Sequence, residues 1–126
     1  MRILLVGLGG FVGSILRYWL SGIGQQLMPR AAFPIGTFVV NVLGCLTIGI
    51  ISELAETRGF LTADGRALLV IGLLGGFTTF SAFANETVNA WRDGNVSTAL
   101  LNIFLSVVAC LVAVWAGRLI ANSLWR

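Results

Sequence analysis

Four mostly apolar stretches, residues 3–27, 35–54, 67–91 and 96–123, take up nearly all of this 126-residue chain. A helix rising 1.5 Å per residue needs about 20 such residues to cross a hydrocarbon core ~30 Å thick. Each stretch is long enough, and nothing remains for a soluble domain. Charged residues make up only 10% of the chain, against roughly 25% in an average soluble domain, and the mean hydropathy is +0.94. The expected fold is therefore an all-α membrane protein: one transmembrane domain, residues 1–126, of four spanning helices.

The connections support that count. Met28-Pro29-Arg30 with Pro34, the segment from Glu56-Thr57-Arg58-Gly59 to Asp64-Gly65-Arg66, and Arg92-Asp93-Gly94-Asn95 all carry turn or charge signals. Four spans put both termini on one side. Arginine is the only basic residue type; Arg2, Arg58, Arg66 and Arg126, with Arg118 near that side, stand against Arg30 and Arg92. The excess leans weakly toward cytoplasmic termini, and so weak a lean does not fix a single orientation.

A net charge of +3 and a pI near 9.7 raise the question of nucleic acid, but the arginines are scattered among loops and form no basic stripe. No nucleic-acid partner is expected. The apolar run from Ile3 continues through Gly9, Gly10 and Gly13 without a small-x-small cleavage site, so the first span is expected to be retained. Gly7 to Gly13 matches a dinucleotide fingerprint poorly, since the third glycine comes one place late and no strand precedes it. Cys45 and Cys110 lie within spans and lack metal-type spacing, so free thiols are expected. The sequons at Asn85 and Asn95 lie too close to the membrane to carry weight.

The polar residues at membrane depth carry the functional information. In the first span Gly9 and Gly13 have the four-residue spacing that lets helices approach closely. Ending this helix before Arg17 would leave about 21 Å, so Arg17 lies within the span or snorkels from it. It is either an interface anchor beside Tyr18 and Trp19 or an intramembrane charge that needs a partner or water. In the second span Pro34 and Gly36-Thr37 mark a helix start, with Thr37 placed to satisfy an orphan amide. Asn41, one turn on, either joins helices or points amide donors at an anion.

The densest constellation is Gly75-Gly76-Phe77-Thr78-Thr79-Phe80-Ser81-Ala82-Phe83, in which the glycine pair is expected to loosen the third helix and the helix to break near Gly75-Thr79. Irregular polar backbone at that depth survives only when buried in protein or lining a hydrated path. Phe80 and Phe83 share a helical face. They are either core packing or ring edges, which carry partial positive charge and attract an anion without a fixed cation, with Thr78, Thr79 and Ser81 around them. Glu86 is expected at a wider, wetter mouth with Asn85 and Asn89, or simply as a helix-end carboxylate in water. In the fourth span Asn102, Ser106 and Cys110 recur every four residues. This polar ribbon reads equally as helix glue or as a ladder of weak donors.

Taken together, these residues resemble the small four-helix bacterial fluoride channels, the Fluc or CrcB family. The likeness covers essentially the whole chain, and the Gly-Gly-x-Thr-Thr-Phe-Ser-x-Phe pattern in the third of four spans is its most specific part. The resemblance implies a passive fluoride-selective channel of the bacterial inner membrane rather than an enzyme, built as a dual-topology homodimer with two pores where subunits meet. It implies a fluoride pathway of Phe80, Phe83, Asn41, Ser81, Thr79, Asn102, Ser106 and Cys110, with Glu86 and Arg17 in the vestibule. It further implies a central structural sodium ion (Na+) on the backbone carbonyls of Gly75 and Thr78. Against the family's usual pattern, Phe77 stands where leucine is common, Ala82 and Ala84 where hydroxyls are frequent, and Cys110 where serine often ends the ribbon; a thiol is the weaker donor.

Two rivals differ in class. A proton-driven small multidrug exporter depends on a glutamate in its first span, whereas here the first span has no acidic residue. A membrane assembly subunit would use its polar residues only to join helices and would transport nothing.

Overall fold

The computed structural model describes residues 1–125; Arg126, counted above among the terminal-side arginines, lies outside them. The described residues contain helices and turns and no strand. Helix α1 spans Arg2–Leu27 and α2 spans Ile35–Arg58. The third span is two helices, α3 over residues 63–77 and α4 over Phe80–Arg92. Helix α5 spans Val96–Leu124. The four resulting spans are each long and apolar enough to cross a membrane.

Glycines set how the spans pair. A Cβ at Gly9 would overlap the backbone of Leu68 and Leu73, and one at Gly13 that of Leu73 and Phe77, so α1 and α3 touch backbone to backbone. Both glycines are buried. The sequence numbers rise together along this seam, from Arg2 against Asp64 (3.0 Å) to Gly13 against Phe77, so the two helices run parallel. Close approach of small residues of this kind drives helix association in lipid, where burying apolar area gains little.

A second parallel seam joins α2 and α5. The Gly49 position abuts the Val114 carbonyl and Gly117 abuts Leu46 and Ile50. One turn further, Glu53 Oε2 accepts from Arg118 Nη1 at 3.2 Å, while Arg118 Nη2 donates to Glu56 at 2.9 Å. Partners on this seam differ by 65 in sequence number at both Gly49/Val114 and Glu53/Arg118. Adjacent α1 and α2 meet near their shared loop, where Gly24 faces Gly36.

Two local expectations need correction. Helix α2 begins after Pro34 with no side-chain cap; the Thr37 hydroxyl goes instead to Glu86, because that carboxylate lies within reach and is the stronger acceptor. The third span breaks within the expected Gly75-Thr79 stretch, but at its threonines and not at the glycine pair. Gly75 has helical angles (φ −63°, ψ −37°), and the chain leaves the helix only at Thr78 (φ −81°, ψ 156°) and Thr79 (φ −150°, ψ 114°). Gly76 serves packing, since a Cβ there would overlap Gly10. Residues Arg66–Leu74 are wound as a π-helix, a rare form that recurs at functional sites.

Candidate functional site

The break between α3 and α4 is held by side chains. Helix α4 starts at an N-cap threonine, whose Oγ1 accepts from the Ala82 amide at 3.1 Å and lies 3.2 Å from Ser81 Oγ. Asn41 crosses from α2 and grips the same residue. Its Oδ1 accepts from the Thr79 amide at 2.8 Å and its Nδ2 donates to the Thr79 carbonyl at 2.9 Å. Both carbonyls named for sodium lose their helical donors here. The Thr79 amide, which would reach Gly75 in a continuous helix, goes to Asn41; the Ala82 amide, which would reach Thr78, goes to the Thr79 hydroxyl.

The freed Thr78 carbonyl receives a long hydrogen bond, 3.4 Å, from Arg17 Nη1. Arg17 therefore stays within α1 and turns toward the break. The Thr78 hydroxyl folds back onto its own helix, donating to Leu74 at 2.9 Å, while the residue lines the same groove as Phe80 and Phe83. Among the described residues no group of three or more His, Cys, Asp or Glu could hold a metal. Carbonyl oxygens suit a hard cation, but the Thr78 oxygen already faces the Arg17 guanidinium, and one chain offers too few to enclose an ion.

Phe80 and Phe83 sit on the first turn of α4, their centroids 5.3 Å apart and their planes tilted by 49°. Phe80 is 79% exposed and Phe83 half-buried. Both line a groove of about 510 Å³ that also takes in Asn41, Thr79, Ser106 and Cys110. Six of the eight proposed pathway residues thus meet in one groove, drawn from α2, the break, α4 and α5.

The other two lie apart. Ser81 faces a larger cavity, about 900 Å³, together with Arg17, Ser14, Gln25 and Asn85. Asn102 is 2% exposed and works as a relay: it accepts from Ser106 Oγ at 3.1 Å and donates to Thr87 Oγ1 at 2.8 Å, and Thr87 donates to the Phe83 carbonyl at 2.7 Å. Glu86 lines a third cavity, about 430 Å³, with Ser21, Gln25 and Asn89. Its Oε1 accepts from Thr37 at 2.6 Å, and its buried Oε2 has no partner among the described residues.

Sequence reasoning missed three contributors. Thr87 links α5 to the ring-bearing turn, Thr37 anchors Glu86, and Cys45 lines the groove beside Cys110. The only signal for Thr87 was its four-residue spacing from Phe83. Residues 4–118 match the family model described as "CrcB-like protein, Camphor Resistance (CrcB)". The chain belongs to the CrcB-like family. Curated relatives agree over nearly full length. A protein of Methylobacillus flagellatus named "Fluoride-specific ion channel FluC" is 47% identical, with 92% of this chain and 91% of that one covered. Namesakes from Opitutus terrae (46%; 96% and 92% covered) and Geobacter sulfurreducens (44%; 97% and 98% covered) are similar. In this CrcB-like chain, then, the Asn41-clamped break and the ring pair stand at the groove where three spans converge.

Proposed function

We propose that this protein is a passive, fluoride-selective channel of the bacterial inner membrane, acting as an antiparallel homodimer with a pore on each side. The observation that carries this reading is the meeting of Phe80, Phe83, Asn41 and Ser106 in one groove, in a chain whose relatives are named as fluoride-specific channels. The tilted ring pair offers partial positive charge at its edges. Such a site attracts an anion without holding it as a fixed cation would, which conduction requires.

Fluoride would exchange hydration water stepwise for the ring edges and the remaining Asn41 amide proton, and for the Ser106 hydroxyl once its proton turns away from Asn102. Chloride, larger and less tightly hydrated, is excluded by pore width and by the strength of those donors. No fuel is needed: a potential of 100 mV, negative inside, favours exit of an anion by ~2.3 kcal/mol. Arg17, in the cavity of about 900 Å³, would draw anions in from a vestibule, and Glu86 would sit near a pore entrance.

The weak arginine asymmetry supports insertion in both orientations. The carbonyls of Gly75 and Thr78, joined by those of a second subunit, would hold sodium once the long Arg17 contact to Thr78 gives way. When bound, that ion would supply a hard positive centre that locks the broken helices together.

The test is efflux from liposomes containing the purified full-length protein. Fast fluoride flux, much slower chloride flux and indifference to a proton gradient are expected. Equal passage of both halides, or flux that requires a proton gradient, would overturn the reading.

A further inference from the structure

The α2–α5 seam places two thiols on one rung. Gly49 touches Val114 and Glu53 pairs with Arg118, each pair 65 residues apart. One turn before Gly49 the same offset joins Cys45 to Cys110, and one turn earlier still it joins Asn41 to Ser106. All four of these residues line the one groove. Both cysteines are free and half-buried, and both line the same groove. Gly49 and Gly117 keep the two backbones in contact one to two turns away, so the two cysteines lie on closely packed helices at one level of the groove.

We propose that Cys45 and Cys110 form a dithiol site, within a single chain, for a soft two-coordinate d10 cation such as Hg(II). Sulfur ligands select soft cations over hard ones, and two thiolates from parallel helices suit linear coordination. With mercuric chloride as the probe, two S–H bonds and two Hg–Cl bonds break and two S–Hg bonds form. Two protons and two chloride ions are released, and nothing is oxidised or reduced. Neutral mercuric chloride can enter an apolar groove. The bound metal would occupy the rung next to Asn41 and Ser106, so it marks a place where thiophilic metals obstruct the groove.

The experiment uses the full-length protein in detergent, titrated with mercuric chloride, stripped with excess monothiol, and then alkylated and mapped by mass spectrometry. In the wild type, one metal ion per chain should survive the monothiol and shield both cysteines from alkylation. Cys45→Ser and Cys110→Ser should each lose the retained metal. Mercury stripped from the wild type as readily as from the variants would overturn the proposal. So would shielding that needs two ions per chain, or a mercury-bridged dimer on a non-reducing denaturing gel. The wild-type shielding result does not depend on either variant folding, and none of these readouts depends on fluoride transport.

Discussion

Asn41 satisfies both backbone groups of Thr79, accepting from its amide at 2.8 Å and donating to its carbonyl at 2.9 Å. The break in the third span thus rests on one side chain supplied by another helix. Backbone groups at this depth have no bulk water to fall back on, which makes the clamp structural whatever else its spare amide proton does.

Asn41→Ala should therefore loosen the break. Two hydrogen bonds are lost and two backbone groups stranded, at a cost of about 1–3 kcal/mol. Asn41→Asp should be no better, because a carboxylate oxygen would face the Thr79 carbonyl. Thermal denaturation in detergent followed by size exclusion measures the loss, and fluoride flux should fall with it.

Phe80→Ile should separate function from stability. The ring is 79% exposed in the single chain, so the loss of packing within the chain should lower stability by no more than about 0.5 kcal/mol. Flux should drop by roughly fivefold or more, since an aromatic edge interaction is worth about 1 kcal/mol. A variant that melts early but conducts normally would place the ring in packing alone.

Substitutions in the relay should act through Phe83. Asn102→Leu removes the acceptor for Ser106 and the donor to Thr87, costing about 1–2 kcal/mol in a membrane setting. Thr87→Val cuts the link to the Phe83 carbonyl while keeping side-chain volume. Both should lower flux more than the exposed Ser81→Ala does, as measured in the same liposomes.

Gly49→Val should damage assembly of the α2–α5 seam. A Cβ at this position already overlaps the Val114 carbonyl, and relieving that by backbone movement costs typically 1–3 kcal/mol. Loss of monodisperse protein on size exclusion is the expected result, with Gly7→Ala, where nothing lies within 4 Å, as the tolerated control.

Much of the architecture was legible because lipid imposes simple rules. Span number follows from apolar length, and an interruption in the third span follows from polar backbone at depth. Its location was harder to see. Gly75 and Gly76 look like the weak point, yet Gly75 stays helical and Gly76 packs against Gly10, while the two threonines leave the helix because Asn41 and the Thr79 hydroxyl replace the missing bonds. That exchange depends on a residue 38 positions away. The π winding of Arg66–Leu74 has no counterpart in the apolar pattern of those residues.

The site was legible as a set of residue types and less so as a place. Four-residue spacing put Asn102, Ser106 and Cys110 on one face, but only helix pairing shows that Ser106 and Cys110 meet the groove while Asn102 is sealed behind it. Thr37 looked like a cap because it follows Pro34, and its bond to Glu86 spans 49 positions. That Cys45 lines the same groove as Cys110 depends on how α2 and α5 pair, which the spacing within either span does not reveal.

The constant offset along the α2–α5 seam limits how the chain can change in length. Removing a single residue between Asn41 and Glu53 would rotate everything beyond it by about 100° relative to α5. The thiol rung, the Gly49 contact or the Arg118 pair would slip out of phase together, depending on where the cut fell. Insertions and deletions are therefore confined to the connecting loops, where an added residue changes reach and leaves the helical phase intact.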